Sequence, residues 1–407
     1  MATVLKPRDE ADTARVVSWA AAERKSLEIV AGASKRAVGR PIQTEHVLNM
    51  TGLTGIRLYE PGELVLSAAA GTTLEEIEAA LDEHKQQLAF EPPQLSAFLG
   101  AGQKAPTLGG AVAANLSGPR RISAGAVRDH VLGLRAVTGR AETVRIGGRV
   151  MKNVTGYDMC KLLSGSWGTL AILSDVTVKV MPKPETESTV ILLGLSADEA
   201  VRAMSAGLAS NAGLSGAAHI PPALAARSAV KSVAGADRSV TALRLEGFDS
   251  SVKARREALI AALNSSADVE VLKISDSTAL WREIRDVALF SNSPDHVIWR
   301  ISTLASKGPD VVRNVSIGED VEALYDWGGG LVWLAQPSYG DGGSDAIRTV
   351  LERAGGHATL MRAPPATRSA VKVFEPQAEP VAALTRRLKT AFDPHAILNP
   401  GRMYAGV

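Results

Sequence analysis

The stretch Thr107-Leu108-Gly109-Gly110-Ala111-Val112-Ala113-Ala114-Asn115-Leu116-Ser117-Gly118 carries paired glycines and three alanines where an ordinary core segment would carry bulky side chains. Two situations prune a chain in this way: a flat ring pressed on the backbone, or a close crossing of helix and strand. Upstream, the apolar run Leu27 to Val30 closes on Ala31-Gly32-Ala33-Ser34-Lys35. Backbone amides, a hydroxyl and an ammonium at a strand end suit a pyrophosphate; an ordinary turn with an exposed lysine is the alternative. Downstream, Lys152-Asn153-Val154-Thr155-Gly156-Tyr157-Asp158 leads to Gly168-Thr169-Leu170-Ala171-Ile172, directly before the strongest strand signal. Three small-residue stretches, far apart in sequence, are expected to converge on one ligand.

The periodicity around these stretches predicts an α+β protein. Asp9 to Arg24 repeats Ala and Val at helical spacing, and Glu63 to Ala69 reads as a strand. Gly71-Thr72-Thr73 supplies a turn and a hydroxyl cap for a helix over Leu74 to Glu83. His130 to Gly139 and Glu142 to Ile146 read as a hairpin. Val176, Val178 and Val180 alternate with Thr177 and Lys179 until Pro182 and Pro184 stop the strand, which places a boundary after residue 185. From 186 to 380, helical patterns (Ala197 to Leu208, Val252 to Leu263, Ala279 to Ala288, Ala346 to Arg353) alternate with apolar strands. Those strands are Thr189 to Leu193, Val240 to Leu245, Val269 to Ile274, Val297 to Ile301 and Leu331 to Leu334, a sheet with covering helices. Residues 381–407 read as a final helix, Val381 to Phe392, and a tail through Asn399-Pro400-Gly401.

Composition narrows the function. At 407 residues, two or three packed subdomains and a buried cofactor are within reach. Lys and Arg number 45 against 43 for Asp and Glu, a balance that offers no general field for a nucleic acid. Cys160 is the only cysteine, which excludes an internal disulfide and a self-contained iron–sulfur cluster. None of the histidines lies at zinc-site spacing, so no metal is expected. The first residues lack the basic head and apolar stretch of a secretion signal, and no apolar run approaches ~20 residues. A cytoplasmic address is expected, with any membrane contact made through a partner. The loop Gly32 to Lys35 is not a Gly-x-Gly-x-x-Gly fingerprint and no Walker lysine occurs, which disfavours classical NAD and ATP folds.

Residues from about Leu5 to Pro184 resemble the PCMH-type FAD-binding domain of the vanillyl-alcohol oxidase and p-cresol methylhydroxylase flavoproteins. The segments from Gly71-Thr72-Thr73 through Lys152 to Asp158, and on to Phe392-Asp393-Pro394-His395-Ala396-Ile397-Leu398-Asn399-Pro400-Gly401, are similar to the family of FAD-binding E subunits of bacterial glycolate oxidase, or glycolate dehydrogenase. The resemblance implies a PCMH-type domain of two α/β subdomains over 1–185, an α+β cap with an antiparallel sheet over 186–380, and a tail over 381–407 returning to the flavin.

By the same resemblance, Gly32, Ala33, Ser34 and Lys35, with Thr107, Gly109 and Gly110, would hold the FAD pyrophosphate. Ala113, Asn115 and Gly118 would line the flavin side. Thr155, Gly156, Tyr157 and Asp158, and Gly168, Thr169 and Leu170, correspond to two further cofactor segments. Ile172 would contact the cofactor through its backbone, and Asn399 would return to the ring. Some relatives attach FAD through a histidine in the first loop; none lies between Gly32 and Gly39, so the implied FAD is noncovalent.

The implied reaction is oxidation of glycolate, or a similar small 2-hydroxy acid, to the 2-oxo acid, with hydride passing to flavin N5. The implied partners are a second FAD-binding dehydrogenase subunit and an iron–sulfur subunit, in a complex peripheral to the inner membrane. Such chemistry needs a cation for the carboxylate and a base for the hydroxyl proton. Arg300, on an otherwise apolar run, is the candidate cation; its partner is substrate, flavin or a structural aspartate. His357 is the candidate base, with a satisfied structural histidine as the alternative. If His357 to Arg362 is one straight strand, those two side chains face opposite ways unless a bulge intervenes. The related D subunit carries a His-x-His pair and a Gly-Asp-Gly-Asn-x-His segment absent here. A dehydrogenase subunit and a noncatalytic electron relay or scaffold are therefore both open, and a stand-alone lactate dehydrogenase or cell-wall sugar reductase is a third reading.

Overall fold

The computed structural model describes residues 2–148, 157–263, 267–293, 295–316, 321–338 and 340–407. A three-stranded parallel sheet is built from β1 (Thr3–Leu5), β2 (Leu27–Val30) and β3 (His46–Asn49) in the order β1-β3-β2. The helix Glu10–Ala22 makes the crossover between β1 and β2, and the Asp9 side chain caps it by accepting from the Asp12 amide. Its buried Val17 and Ala20 pack with Leu27 and Leu48 beneath the sheet.

A second, antiparallel sheet uses β4 (Ile56–Glu60), β5 (Val65–Ala69), β7 (Val131–Thr138), β8 (Thr143–Gly147) and β9 (Ala171–Lys179), ordered β4-β5-β9-β7-β8. Two short strands, β6 (Gln86–Gln87) and β10 (Met181–Pro182), pair separately. Val176 and Val178 of β9 are fully buried while Thr177 and Lys179 are partly exposed, as the alternation requires. Leu74, Ile77 and Leu81 of the helix Leu74–Asp82 fill the same core, and Thr73 caps that helix through the Glu76 amide at 3.2 Å.

The third sheet has eight strands: β11 (Thr186–Leu193), β12 (Leu214–Ile220), β13 (Val240–Gly247), β14 (Asp268–Val271), β15 (His296–Ser302), β16 (Glu322–Asp326), β17 (Leu331–Pro337) and β18 (His357–Arg362). Their order is β14-β11-β13-β12-β16-β17-β15-β18, and the pairings are antiparallel. Among the described residues, the two halves meet at the pair His219 and Tyr325. β12 escapes the periodicity reading because it is buried on both faces, which erases alternation. The strand expected over Val269 to Ile274 ends at Val271. Ile274 instead opens the helix Ile274–Asp286, whose polar first turn, Ser275 to Thr278, hides it from a hydrophobic count.

The sheets are tied by ions. Arg244 of β13 makes a two-pronged bond to Glu91, at 2.9 and 3.0 Å, from the segment that precedes the small-residue loop. Arg120, just beyond that loop, is bidentate to Glu246 of β13 at 2.8 and 2.7 Å and reaches Glu91 at 3.1 Å. The helix Glu379–Phe392 then sends the chain back to the first sheet. Lys389, buried, donates to the carbonyls of Thr169 (2.7 Å) and Leu398 (2.9 Å) and pairs with Asp393 at 2.8 Å. Asp393 in turn accepts from the Ile397 and Leu398 amides, and Leu398 bridges in parallel to Leu27 of β2. Removing one member of a buried pair costs ~3–5 kcal/mol because the other charge is stranded. A Lys389→Met chain is therefore expected to shift to a lower urea midpoint by a loss of that order; an unshifted midpoint would show that the tail is held by other means.

Candidate functional site

The three small-residue stretches do meet. Ala31 to Arg36, then Thr107, Gly109, Gly110, Ala113 and Ala114, then Trp167, Gly168, Ala171 and Ile172 line one cavity of about 770 Å³, open solvent at its mouth included.

The glycines are there because chains approach closely. A Cβ on Gly109 would lie 2.6 Å from that of Ala70, and one on Gly32 would lie 1.7 Å from the Ala105 carbonyl oxygen. Gly168, at φ +71°, leaves only 2.8 Å between such a Cβ and the Asn399 amide nitrogen. Close crossing and a backbone-walled cavity are thus the same feature: side chains removed where segments cross also expose main chain to the space between them.

The C-terminal tail closes the wall. Asn399 accepts from the Ile29 amide at 2.8 Å and donates to the Trp167 carbonyl at 2.7 Å, so one side chain fastens the first segment to the third. Its amide is engaged by main chain, while the residue itself, in the left-handed region at φ 42°, borders the cavity. Arg402, from the same tail, also lines the space and donates to the Lys35 carbonyl at 3.1 Å. Its guanidinium sits 5.4 Å from the Trp167 ring centroid, and its Nε has no partner among the described residues. Sequence reasoning did not reach Arg402 or Trp167, since nothing near either marks the fold-back that joins them.

Lys35 is the most informative side chain. It is 8% exposed, and among the described residues its ammonium makes no ion pair or hydrogen bond. Burial alone pushes its pKa down to about 8. Neighbouring Arg36 is bound to Glu28, so no carboxylate is left over at the loop. An unpartnered buried cation lining a glycine-walled cavity, with Arg402 beside it, calls for an anion. The donor set therefore fits a dinucleotide pyrophosphate.

Other expected cofactor residues stand off this wall. Asn115, at φ 49°, ends the helix Leu108–Ala114 and accepts from the Arg128 amide at 3.1 Å. Gly118 packs on Glu91, whose carbonyl oxygen would lie 2.6 Å from an added Cβ. The Thr169 hydroxyl donates to the Ser166 carbonyl, and Leu170 is buried in the core of the second sheet. Tyr157 is 91% exposed, and Asp158 caps the helix Met159–Leu163 while pairing with Lys161. Thr155 and Gly156 lie outside the described residues. Cys160 is buried, and desolvation pushes its thiol up to about 11.

A narrow crevice continues along the same loop, lined by Leu116, Ser117 and Gly118 and, from the large sheet, by Arg300, Asp326 and Trp333. Ala114 and Leu116 are two residues apart, so at most ~7 Å of chain separates the two walls. Arg300 is buried; burial first, then the charge of Arg121, lowers its pKa to about 10. Among the described residues it has no ion pair, and its guanidinium lies over the rings of Trp327 (5.0 Å) and Trp333 (6.0 Å). Asp326, fully buried, accepts from the Trp327 amide at 2.7 Å, and desolvation raises its carboxyl to about 7.

His357 pairs with Ser302 across β18 and β15, which places it on the face shared by Arg300. Local desolvation, followed by the charge of Arg300, lowers its pKa. A bulge is present in β18: Ile298 pairs with Arg362 while Trp299 pairs with Leu360, leaving Met361 as the extra residue. It returns Arg362 to the same face, where the guanidinium is held by the carbonyls of Phe98, Phe290 and Ser293. No helix among the described residues is long and apolar enough to cross a membrane, and no group of three or more His, Cys, Asp or Glu among them could hold a metal.

Comparison with known proteins agrees with this geometry. A family model described as an FAD binding domain matches residues 1–147. The 4-ethylphenol oxidase of Gulosibacter chungangensis superposes with a TM-score of 0.72 at 15% identity, covering 99% of this chain and 89% of that one, and so shares the fold. Glycolate oxidase subunit GlcD of Bacillus subtilis is 31% identical over half of this chain and 42% of its own length. Glycolate oxidase subunit GlcE of Escherichia coli is 36% identical over 96% of this chain and 95% of its own length. With likeness sustained over both full lengths, the chain belongs to the GlcE family of FAD-binding glycolate oxidase subunits.

Proposed function

We propose that this chain is the FAD-binding subunit of a glycolate dehydrogenase complex, oxidising glycolate or a similar 2-hydroxy acid to the 2-oxo acid. The observation that carries the cofactor assignment is Lys35, a buried ammonium without a counter-ion on the wall of a backbone-lined cavity. In this reading residues 1–185 form the FAD domain, 186–380 the cap and 381–407 the returning tail. Lys35 and Arg402 meet the pyrophosphate, and the main chain at Gly32, Gly109 and Gly110 lets it approach. Thr155 and Gly156 remain candidates from the resemblance alone.

Bound noncovalently, FAD supplies a two-electron acceptor that takes the hydride from the alcohol carbon. The chain's own residues orient the acid and manage its proton. Arg300 is the cation that meets the carboxylate. His357, on the same sheet face as Arg300, accepts the hydroxyl proton. With one cysteine in the chain, the clusters that would receive the electrons must reside on another subunit.

FAD affinity of the parent chain is expected to fall as pH rises through about 8, where Lys35 loses its proton. Lys35→Met should bind ~10-fold or more weakly at pH 7 and show no such dependence. Equilibrium dialysis at pH 7 and pH 9 measures both, and equal affinities would remove Lys35 from the site. Anaerobic addition of glycolate to the isolated, flavin-loaded chain should bleach its visible flavin band. Bleaching only after the partner subunits are added would favour an electron-relay role.

A further inference from the structure

Arg368 stands where the part of the chain that carries the large sheet meets the loop after β2. It belongs to the helix Pro365–Ala370, which directly follows β18, and it is 8% exposed. Its guanidinium donates to the Gly39 carbonyl at 2.9 Å and to the Ala363 carbonyl at 3.3 Å. Gly39, at φ +91°, is also pressed on Arg402, since a Cβ there would lie 3.0 Å from the Arg402 Cγ. The Arg402 carbonyl accepts from the Arg40 amide at 2.9 Å, while its guanidinium holds the Lys35 carbonyl. The loop from Lys35 to Arg40 is thus gripped through its main chain by the tail and by the helix beside the large sheet. The same parts touch again nearby, where Phe374 meets Trp167 edge-on with ring centroids 5.7 Å apart.

The junction is crowded with positive charge. Lys35, Arg368 and Arg402 are all buried, and among the described residues none of them forms an ion pair. Arg36 alone has a carboxylate, that of Glu28. Four cations therefore share one acid. Burial lowers the Arg402 pKa to about 10; Glu28 opposes the fall, and the charges of Arg368 and Arg36 add to it. Like charges in a dry, weakly screened setting repel across several ångströms. Carbonyl oxygens satisfy the donors without cancelling the charge. Arg368 is thereby held in a place that its fellow cations disfavour and that an anion beside Lys35 would favour.

We propose that Arg368 is a positioning residue that links docking of the helix Pro365–Ala370 to occupation of the neighbouring cavity by a dinucleotide pyrophosphate. This rests on the FAD reading given above and deepens it. Arg368 does not line the cavity. It acts through the Gly39 carbonyl and through its repulsion with Arg402. Phosphate charge beside Lys35 and Arg402 offsets that repulsion, so the cofactor tightens the junction and the junction, by linkage, tightens the cofactor. The link is local. The helix Asp249–Leu263 packs on β11 and β13, near the other end of the eight-stranded order from β18, and takes no part in it.

Hydrogen exchange of the parent chain, stripped of flavin and then reloaded with FAD, tests the link. FAD should slow exchange at the Arg368 and Val371 amides, which donate to the Pro364 and Thr367 carbonyls, by ~10-fold or more. Exchange in the helix Asp249–Leu263 should stay as it was. ADP, which carries the pyrophosphate without the flavin, should reproduce the slowing. In Arg402→Met the slowing should shrink to ~2-fold or less, because the repulsion that the anion relieves is gone. Arg368→Met should bind FAD ~10-fold more weakly in equilibrium dialysis, with Arg368→Lys in between. FAD binding with unchanged exchange at Arg368 and Val371, or with equal slowing in both helices, overturns the link and leaves the cofactor reading standing. Parent-like FAD affinity in a folded Arg368→Met does the same. A parent that binds no FAD sinks both. The exchange measurement on the parent needs no substitution, so a variant that fails to fold leaves the test decisive.

Discussion

The amide of Asn399 is the fastening on which the cavity depends. It holds the Ile29 amide on one side and the Trp167 carbonyl on the other, segments separated by well over a hundred residues. A two-sided side-chain bridge of this kind fixes position as well as direction, because donor and acceptor sit on a single rigid plane. Asn399 reaches that point only because Lys389 and Asp393 order the turn before it, each of them satisfied by main-chain groups in a dry environment. The consequence for function is geometric: loops that would otherwise drift as the chain breathes are kept at a spacing that suits a flat ligand.

The second constraint is the cluster of Glu91, Arg120, Arg244 and Glu246. A buried set of charges adds little net stability, but breaking it strands the survivors, so it acts as a register pin between the large sheet and the rest. Burial pushes up the carboxyl of Glu246, but Arg244 and Arg120 outweigh it and hold the group down at about 2. Because this cluster balances its own charge, it cannot neutralise the arginines next door. The four ions thus hold the parts together with no net charge.

Much of this architecture was legible. Alternation at Val176, Val178 and Val180 marked β9, the hydroxyl cap at Thr73 marked a helix start, and the pruned loop at Thr107 to Gly118 marked the cavity wall. The pattern could not tell ring from crossing, because both demand the same small residues; at Gly109 and Gly32 the crossing is what excludes a Cβ. β12 went unseen because burial on both faces removes any period. The opposed facing expected of His357 and Arg362 gave way to the bulge at Met361, a single unpaired residue that no composition signals. Arg402 and Arg121 were silent for a different reason. Their partners, Trp167 and Trp327, are brought by long-range packing, and an arginine on a loop reads as solvent-exposed until that packing is known.

The placement of Asn399 and Arg402 sets an order of events during biosynthesis. A ribosome builds the cavity-lining loops first and the large sheet next, and these two residues emerge only after both. Until they fold back, the earlier loops lack their clasp. A chain cut before these residues would keep every cavity-lining loop yet lose the link between the first and third of them.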